Sequence, residues 1–108
     1  MIARSVSIRL KPNMLKDFNQ TLEKEVIPML RKQAGFRDEV AFASDDTTYV
    51  TAISLWDSKE QVEAYNTSAY PTVLKNLEKF LDGQPKVRVS NVISSTSHKL
   101  TAAAVVAA

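Results

Sequence analysis

The stretch TYVTAISLW, residues 48–56, constrains this chain more than any other. Side chains of a strand alternate between two faces. Here Val50, Ala52 and Trp56 fall on one face, while Tyr49, Ile53 and Leu55 fall on the other. A strand apolar on both sides has to be covered on both sides. Helices of its own chain supply one cover, but a chain of 108 residues has little left to build a second. The second cover is therefore expected from another copy, which predicts a homodimer.

The flanking sequence supplies the other elements. Residues 2–10 alternate, with Ile2, Val6, Ile8 and Leu10 against Ala3, Ser5, Ser7 and Arg9, the pattern of a half-buried strand. Ser5, Ser7 and Arg9 form a polar row that either meets water or lines an internal cavity. Asn13 is the expected N-cap of a helix reaching about residue 33, its buried stripe made by Phe18, Leu22, Val26, Met29 and Leu30. Pro28 lies inside that helix and predicts a kink or a break over residues 24–27, because proline removes one backbone hydrogen bond and crowds the preceding turn. Gly35 is the helix stop. Residues 36–44 read as a strand with Phe36, Val40 and Phe42 on one face, joined to residues 48–56 through a turn at Asp45–Asp46. Asp57 or Ser58 caps a short helix, Pro71 opens the next, and Gly83 and Pro85 end it before a last strand over residues 86–95.

The order β-α-β-β-α-β predicts an α+β fold of the ferredoxin-like kind, an antiparallel sheet with helices on one face. One domain over residues 1–96 is expected, followed by a tail over residues 97–108.

Several functions are argued against by composition. Fourteen basic residues against 12 acidic ones, evenly scattered, do not make a nucleic-acid footprint. With no cysteine there is no disulfide, thiolate metal site or cysteine nucleophile, which fits a reducing cytoplasm. The alternating N-terminus lacks the apolar core of a signal peptide, and no run approaches the length needed to span a bilayer, so no membrane partner is expected. His98 is the one histidine; it reads as a solvated tail residue with no orienting carboxylate nearby, and no metal site is expected. No phosphate-cradling glycine loop is present. What remains is aromatic: Trp56, Tyr65 and Tyr70 can meet at the corner between strand and helix, as core residues or as pocket walls, with Phe42 a further large group.

The runs EVIPMLRKQAGFRDEVAF (residues 25–42), YVTAISLWDSKEQVEAY (residues 49–65) and SAYPTVLKNLEKFL (residues 68–81) together resemble the antibiotic biosynthesis monooxygenase family. The resemblance covers roughly residues 3–95 and implies a dimeric α+β barrel. It implies a monooxygenase that oxidises a small aromatic or quinol-type molecule with O2 and no cofactor, in a pocket between sheet and helices. Tyr65 and Arg9 are then the catalytic pair, Arg9 stabilising an enolate or phenolate, and Trp56, Tyr70, Phe42 and Ser7 shape the substrate pocket. A non-catalytic small-molecule-binding or structural dimer of the same fold is the alternative. A sister branch degrades haem with an asparagine on the first strand, a tryptophan on the short helix and a histidine on the next. Here Ser5 and Ser7, Tyr65 and the histidine-free TVLKNL stand instead, so haem degradation is not expected.

Overall fold

The computed structural model describes residues 1–98 and Leu100; most of the expected tail, residues 97–108, lies outside the described residues. Four strands, β1 (Ile2–Arg9), β2 (Phe36–Ala43), β3 (Tyr49–Trp56) and β4 (Lys86–Asn91), form one antiparallel sheet in the order β2-β3-β1-β4. Helices α1 (Leu15–Thr21), α2 (Ile27–Arg31), α3 (Lys59–Ser68) and α4 (Tyr70–Leu77) complete the α+β fold. The strand β1 is central, and its even positions Ile2, Arg4, Val6 and Ile8 are buried. With Val50, Ala52, Ser54 and Trp56 of β3 they form the sheet face that meets the helices. Phe18, Leu22, Val26 and Leu30 from the first helical region, and Val73, Leu77, Phe80 and Leu81 from the second, close over it as a single core.

Of the two outcomes expected at Pro28, the break does not occur: the first helical region is irregular but continuous. A π-helical turn over Leu22–Val26 joins α1 to α2, with Pro28 in the first turn of α2. In the wider turn the Ile27 N–H reaches back to the Leu22 carbonyl, and this irregularity falls just ahead of Pro28 without ending the helix. Asn13 does not cap. It sits in the left-handed region at φ +61, the helix begins two residues later, and no side chain caps it. Ser58 does cap α3, its hydroxyl accepting from the Gln61 amide at 3.3 Å. The Asp45–Asp46 turn holds because the Asp46 carboxylate accepts from the hydroxyls of Ser44 and Thr48, both at 2.7 Å, which lowers its pKa to about 2.

Expectations about the faces of β2, the length of β4 and the surroundings of His98 are corrected. A bulge between Phe36 and Asp38 shifts the register of β2. Phe36 therefore joins the helix side against Trp56, while Val40 and Phe42 turn to the opposite, open face. Arg37, at the bulge, makes a two-pronged ion pair with Asp57 at 2.7 Å. Ile93 lies beyond β4 and is 73% exposed, because regular pairing with β1 stops at Asn91. His98 is not a free tail group either: its ring pairs with the Asp38 carboxylate, which the sequence reading had not placed near it.

Gly35 and Gly83 both hold positive φ, +81 and +92. A Cβ at Gly35 would overlap the side-chain amide of Gln61, whereas at Gly83 it would meet nothing. Gly83→Ala then carries only the left-handed strain of about 1–2 kcal/mol, while Gly35→Ala adds displacement of Gln61 from the β3–α3 corner. Thermal unfolding followed by circular dichroism is expected to show the larger drop in Tm for Gly35→Ala; equal drops would remove the Gln61 contact as a cause.

Candidate active site

The corner that follows β3 is fixed by Trp56. Its side chain is fully buried, its indole N–H donates to the Ser54 hydroxyl at 2.8 Å, and its ring packs edge-on to Phe36 and against Tyr65 with centroids 5.1 Å apart. Ser58 starts α3 two residues later, so Tyr65 and Asn66 are carried over the sheet at the second turn of that helix. Tyr65 stacks on toward Tyr70, 5.9 Å between centroids, at the joint where α3 gives way to α4.

Beneath these rings lies a cavity of about 40 Å³ between the helices and the sheet. Its walls are mainly apolar, from Val6 and Ile8 of β1, Leu22 and Val26 of the π-helical turn and Val73 and Leu77 of α4. Against them stand five polar side chains, Arg4, Glu39, Ser54, Tyr65 and Tyr70. Three of these form one row across the sheet, because Glu39 of β2 and Arg4 of β1 are both register partners of Ser54. With strands spaced about 4.8 Å apart, the Arg4 and Glu39 backbones stand about 10 Å from each other.

Arg4 is only 3% exposed, yet no carboxylate lies within ion-pair distance of it among the described residues. Its Nε donates to the Asn66 side-chain oxygen at 2.8 Å, and its guanidinium lies over the rings of Tyr70 (4.2 Å) and Tyr65 (5.1 Å). Among the described residues its Nη2 is buried without a partner. A buried charge in this condition is costly unless something else pairs with it. Two aromatic faces offset part of that cost, about 2 kcal/mol for a desolvated cation–π contact.

Glu39 shares the site's low-dielectric surroundings. Burial pushes its carboxyl up to about 7, and Arg4 pulls the other way by a smaller amount. Tyr65 is likewise pushed up to about 12 by burial, so its hydroxyl is neutral at ordinary pH.

The expected site is thus rearranged. Tyr65 and Tyr70 border the cavity, and Trp56 stands behind Tyr65 without bordering it. Arg9 and Ser7 do not reach it. Strand alternation puts both on the open face, where Arg9 is exposed, 3.5 Å from Asp82 and over the Tyr49 ring. The polar row Ser5, Ser7 and Arg9 therefore faces away from the cavity. Phe42 is 53% exposed on that same open side. Arg4 and Glu39 take the positions that the sequence reading missed. Arg4 was visible as a cation in phase with Ile2, Val6 and Ile8; the phase of Glu39 was hidden by the bulge.

Among the described residues no helix is long and apolar enough to cross a membrane, and no three His, Cys, Asp or Glu side chains cluster as for a metal ion.

Because Glu39 keeps its proton to about pH 7 when folded and loses it near 4.5 when unfolded, its contribution to stability falls as pH rises through that window. The loss amounts to at most about 3 kcal/mol. Glu39→Gln is expected to raise Tm relative to wild type at pH 8 and to change it little at pH 4.5. An offset that is the same at both pH values would contradict the burial of the carboxyl.

Comparison with known proteins agrees with this architecture. The chain is similar to the Streptomyces coelicolor monooxygenase ActVA-Orf6, solved with nanaomycin D, at 18% identity and a TM-score of 0.75, covering 87% of this chain and 88% of that one. It is similar to Rv0793 of Mycobacterium tuberculosis at 14% identity and TM-score 0.70, covering 88% and 97%. A protein of unknown function from Nitrosomonas europaea gives 17% identity and TM-score 0.68, covering 94% of each chain. At such identities the likeness is one of fold. No curated protein matches the sequence. The family model described as antibiotic biosynthesis monooxygenase matches residues 1–75, which span all of the cavity's polar side chains, and the chain belongs to that family.

Proposed function

We propose that the chain is a cofactor-independent monooxygenase acting on a small aromatic or quinol-type substrate held between sheet and helices. The observation that carries this reading is the Arg4 guanidinium, buried with Nη2 unpartnered in an aromatic-walled cavity, with Glu39 on the same row of the sheet. A carboxylate whose pKa sits near 7 is suited to take a proton at neutral pH. A fixed cation in a dry site stabilises the anion left behind. The Tyr65 hydroxyl, neutral throughout, donates to that anion, and its ring and that of Tyr70 hold the substrate's plane.

The chemistry balances without a resident redox group. Glu39 removes a proton from an activated C–H, and the resulting carbanion gives an electron to O2. Recombination forms a hydroperoxide, which loses water to leave a carbonyl, so that R–CH2–R′ and O2 give R–CO–R′ and H2O. The protein's part is to acidify the substrate through Arg4, to receive the proton at Glu39 and to keep bulk water out.

Oxygen-electrode assays over a panel of anthrones and quinols are expected to find enzyme-dependent uptake. Arg4→Gln is expected to lower kcat by about 10²–10³, the usual loss of one group stabilising an oxyanion, and Tyr65→Phe to lower it less. Absence of uptake together with ligand-dependent thermal stabilisation would instead support a binding protein of the same fold.

The homodimer belongs to the same proposal. On the open face of the sheet Val40 is 58% exposed, Phe42 53% and Tyr49 51%, beside half-buried Ile53 and Leu55. Such a contiguous apolar surface on a small protein favours a partner, and a second copy turned face to face covers both sheets. Light scattering at micromolar concentration is expected to give twice the chain mass, and Val40→Lys to shift it toward the monomer. A wild-type monomer under those conditions would sink the dimer.

A further inference from the structure

The way Arg4 is held says which kind of ligand it is built for. Its guanidinium lies over the Tyr65 and Tyr70 rings, so further hydrogen bonds must come in the guanidinium plane. Within that plane Asn66 occupies Nε, and Nη2 is left buried without a partner. Asn66 is neutral, so the hydrogen bond orients the arginine without cancelling its charge. A planar oxyanion suits the remaining edge, because a carboxylate accepts two parallel hydrogen bonds from a guanidinium. The size of the cavity limits the rest of the ligand. At about 40 Å³ it has room for about three waters as it stands. Any aromatic ring must part the walls, and a single ring parts them less than a fused system does. The lining residues that are only partly buried, Tyr70 and Leu74 of α4 among them, mark where that opening occurs.

We infer that Arg4 is the carboxylate-binding subsite of this cavity, and that its ligand is a single-ring hydroxyaromatic carboxylate whose ring lies against Tyr65 and Tyr70 and whose hydroxyl faces Glu39. The inference rests on the proposed function for the location of the site and narrows its substrate to a phenol whose ring C–H is oxidised in place of R–CH2–R′. Glu39 takes the hydroxyl proton, the Tyr65 hydroxyl donates to the phenolate, and Arg4 holds the carboxylate rather than the new anion. The phenol and O2 give the quinone and H2O. The ligand's carboxylate supplies the counter-charge that the fold withholds from Arg4. Its hydroxyl, on the far side of Ser54, reaches the group on the row that can exchange a proton.

The test is calorimetric titration of the full chain with 3-hydroxybenzoate, with 3-hydroxybenzyl alcohol as the neutral molecule of like shape and inorganic phosphate as the non-planar anion, at constant ionic strength. Saturable binding of 3-hydroxybenzoate at least tenfold tighter than of the alcohol, and not displaced by equimolar phosphate, is the expected result. Arg4→Gln is expected to abolish that preference and Arg4→Lys to restore part of it. Asn66→Asp, which sets a carboxylate against Nε while keeping the side chain's shape, is expected to weaken the acid at least tenfold and leave the alcohol unchanged. That variant keeps the test open should Arg4→Gln not fold. Equal binding of acid and alcohol, a preference that survives both Arg4→Gln and Asn66→Asp, displacement by phosphate, or no binding of either aromatic would each overturn the inference. Oxygen uptake separates the two readings. Acid binding without uptake of O2 on any substrate sinks the monooxygenase and keeps the subsite, whereas uptake on neutral quinols without acid binding does the reverse.

Discussion

The corner at Trp56 sets the position of everything that lines the cavity. An indole with no exposure, wedged between Phe36 and Tyr65 and tied by its N–H to Ser54, leaves β3 one way to pass into α3. Truncating a buried side chain of that size costs about 3–5 kcal/mol, a large part of the stability of a small domain. The direction of α3 follows from this wedge, and with it the placement of Tyr65 over the cavity and of Asn66 against the Arg4 Nε. Ser54 ties the two halves together: its hydroxyl receives the indole, and its backbone position stands between Arg4 and Glu39.

Against that apolar scaffold the two ionisable groups run counter to stability. Replacing buried ionic groups by apolar ones of similar volume is often neutral or stabilising. Here the cation lacks even an ionic partner among the described residues, and the carboxyl is held where its charged form is disfavoured. Both lie on the helix side of the sheet in one row. A local conflict of this kind, set within a fold whose patterning is otherwise consistent, is where function is to be sought. The opposite face carries its ions differently. Arg9 with Asp82 and Arg37 with Asp57 are exposed pairs, screened by water and modest in effect.

The sheet, the helices and their order were legible from periodicity, since alternation on β1 and β3 and three-to-four spacing on α1 and α4 survive in a single sequence. The placement of Pro28 marked where the helix is irregular, although a one-dimensional reading could not choose between a kink and a break or foresee the π-helical turn. Faces were harder. One bulged residue at Arg37 reverses the parity of β2, which moved Val40 and Phe42 to the open side and brought Glu39 to the cavity. The lining of the cavity was hard to read for a related reason. Polar residues in an exposed row, Ser7 and Arg9, looked more available for chemistry than one cation embedded in an apolar row, although the latter is the costlier and more informative arrangement.

What the sequence determined by itself is therefore the scaffold: a β-α-β-β-α-β chain whose third strand is apolar on both faces, because period and propensity are local properties that each segment carries alone. What only the tertiary structure decided is which ionisable groups share a cavity and what their charges meet there. Arg4 and Asn66 are 62 positions apart in the chain, and their hydrogen bond exists only after α3 has folded back over β1. The desolvation that lifts Glu39 likewise arises from helices packed above it, not from its neighbours in sequence.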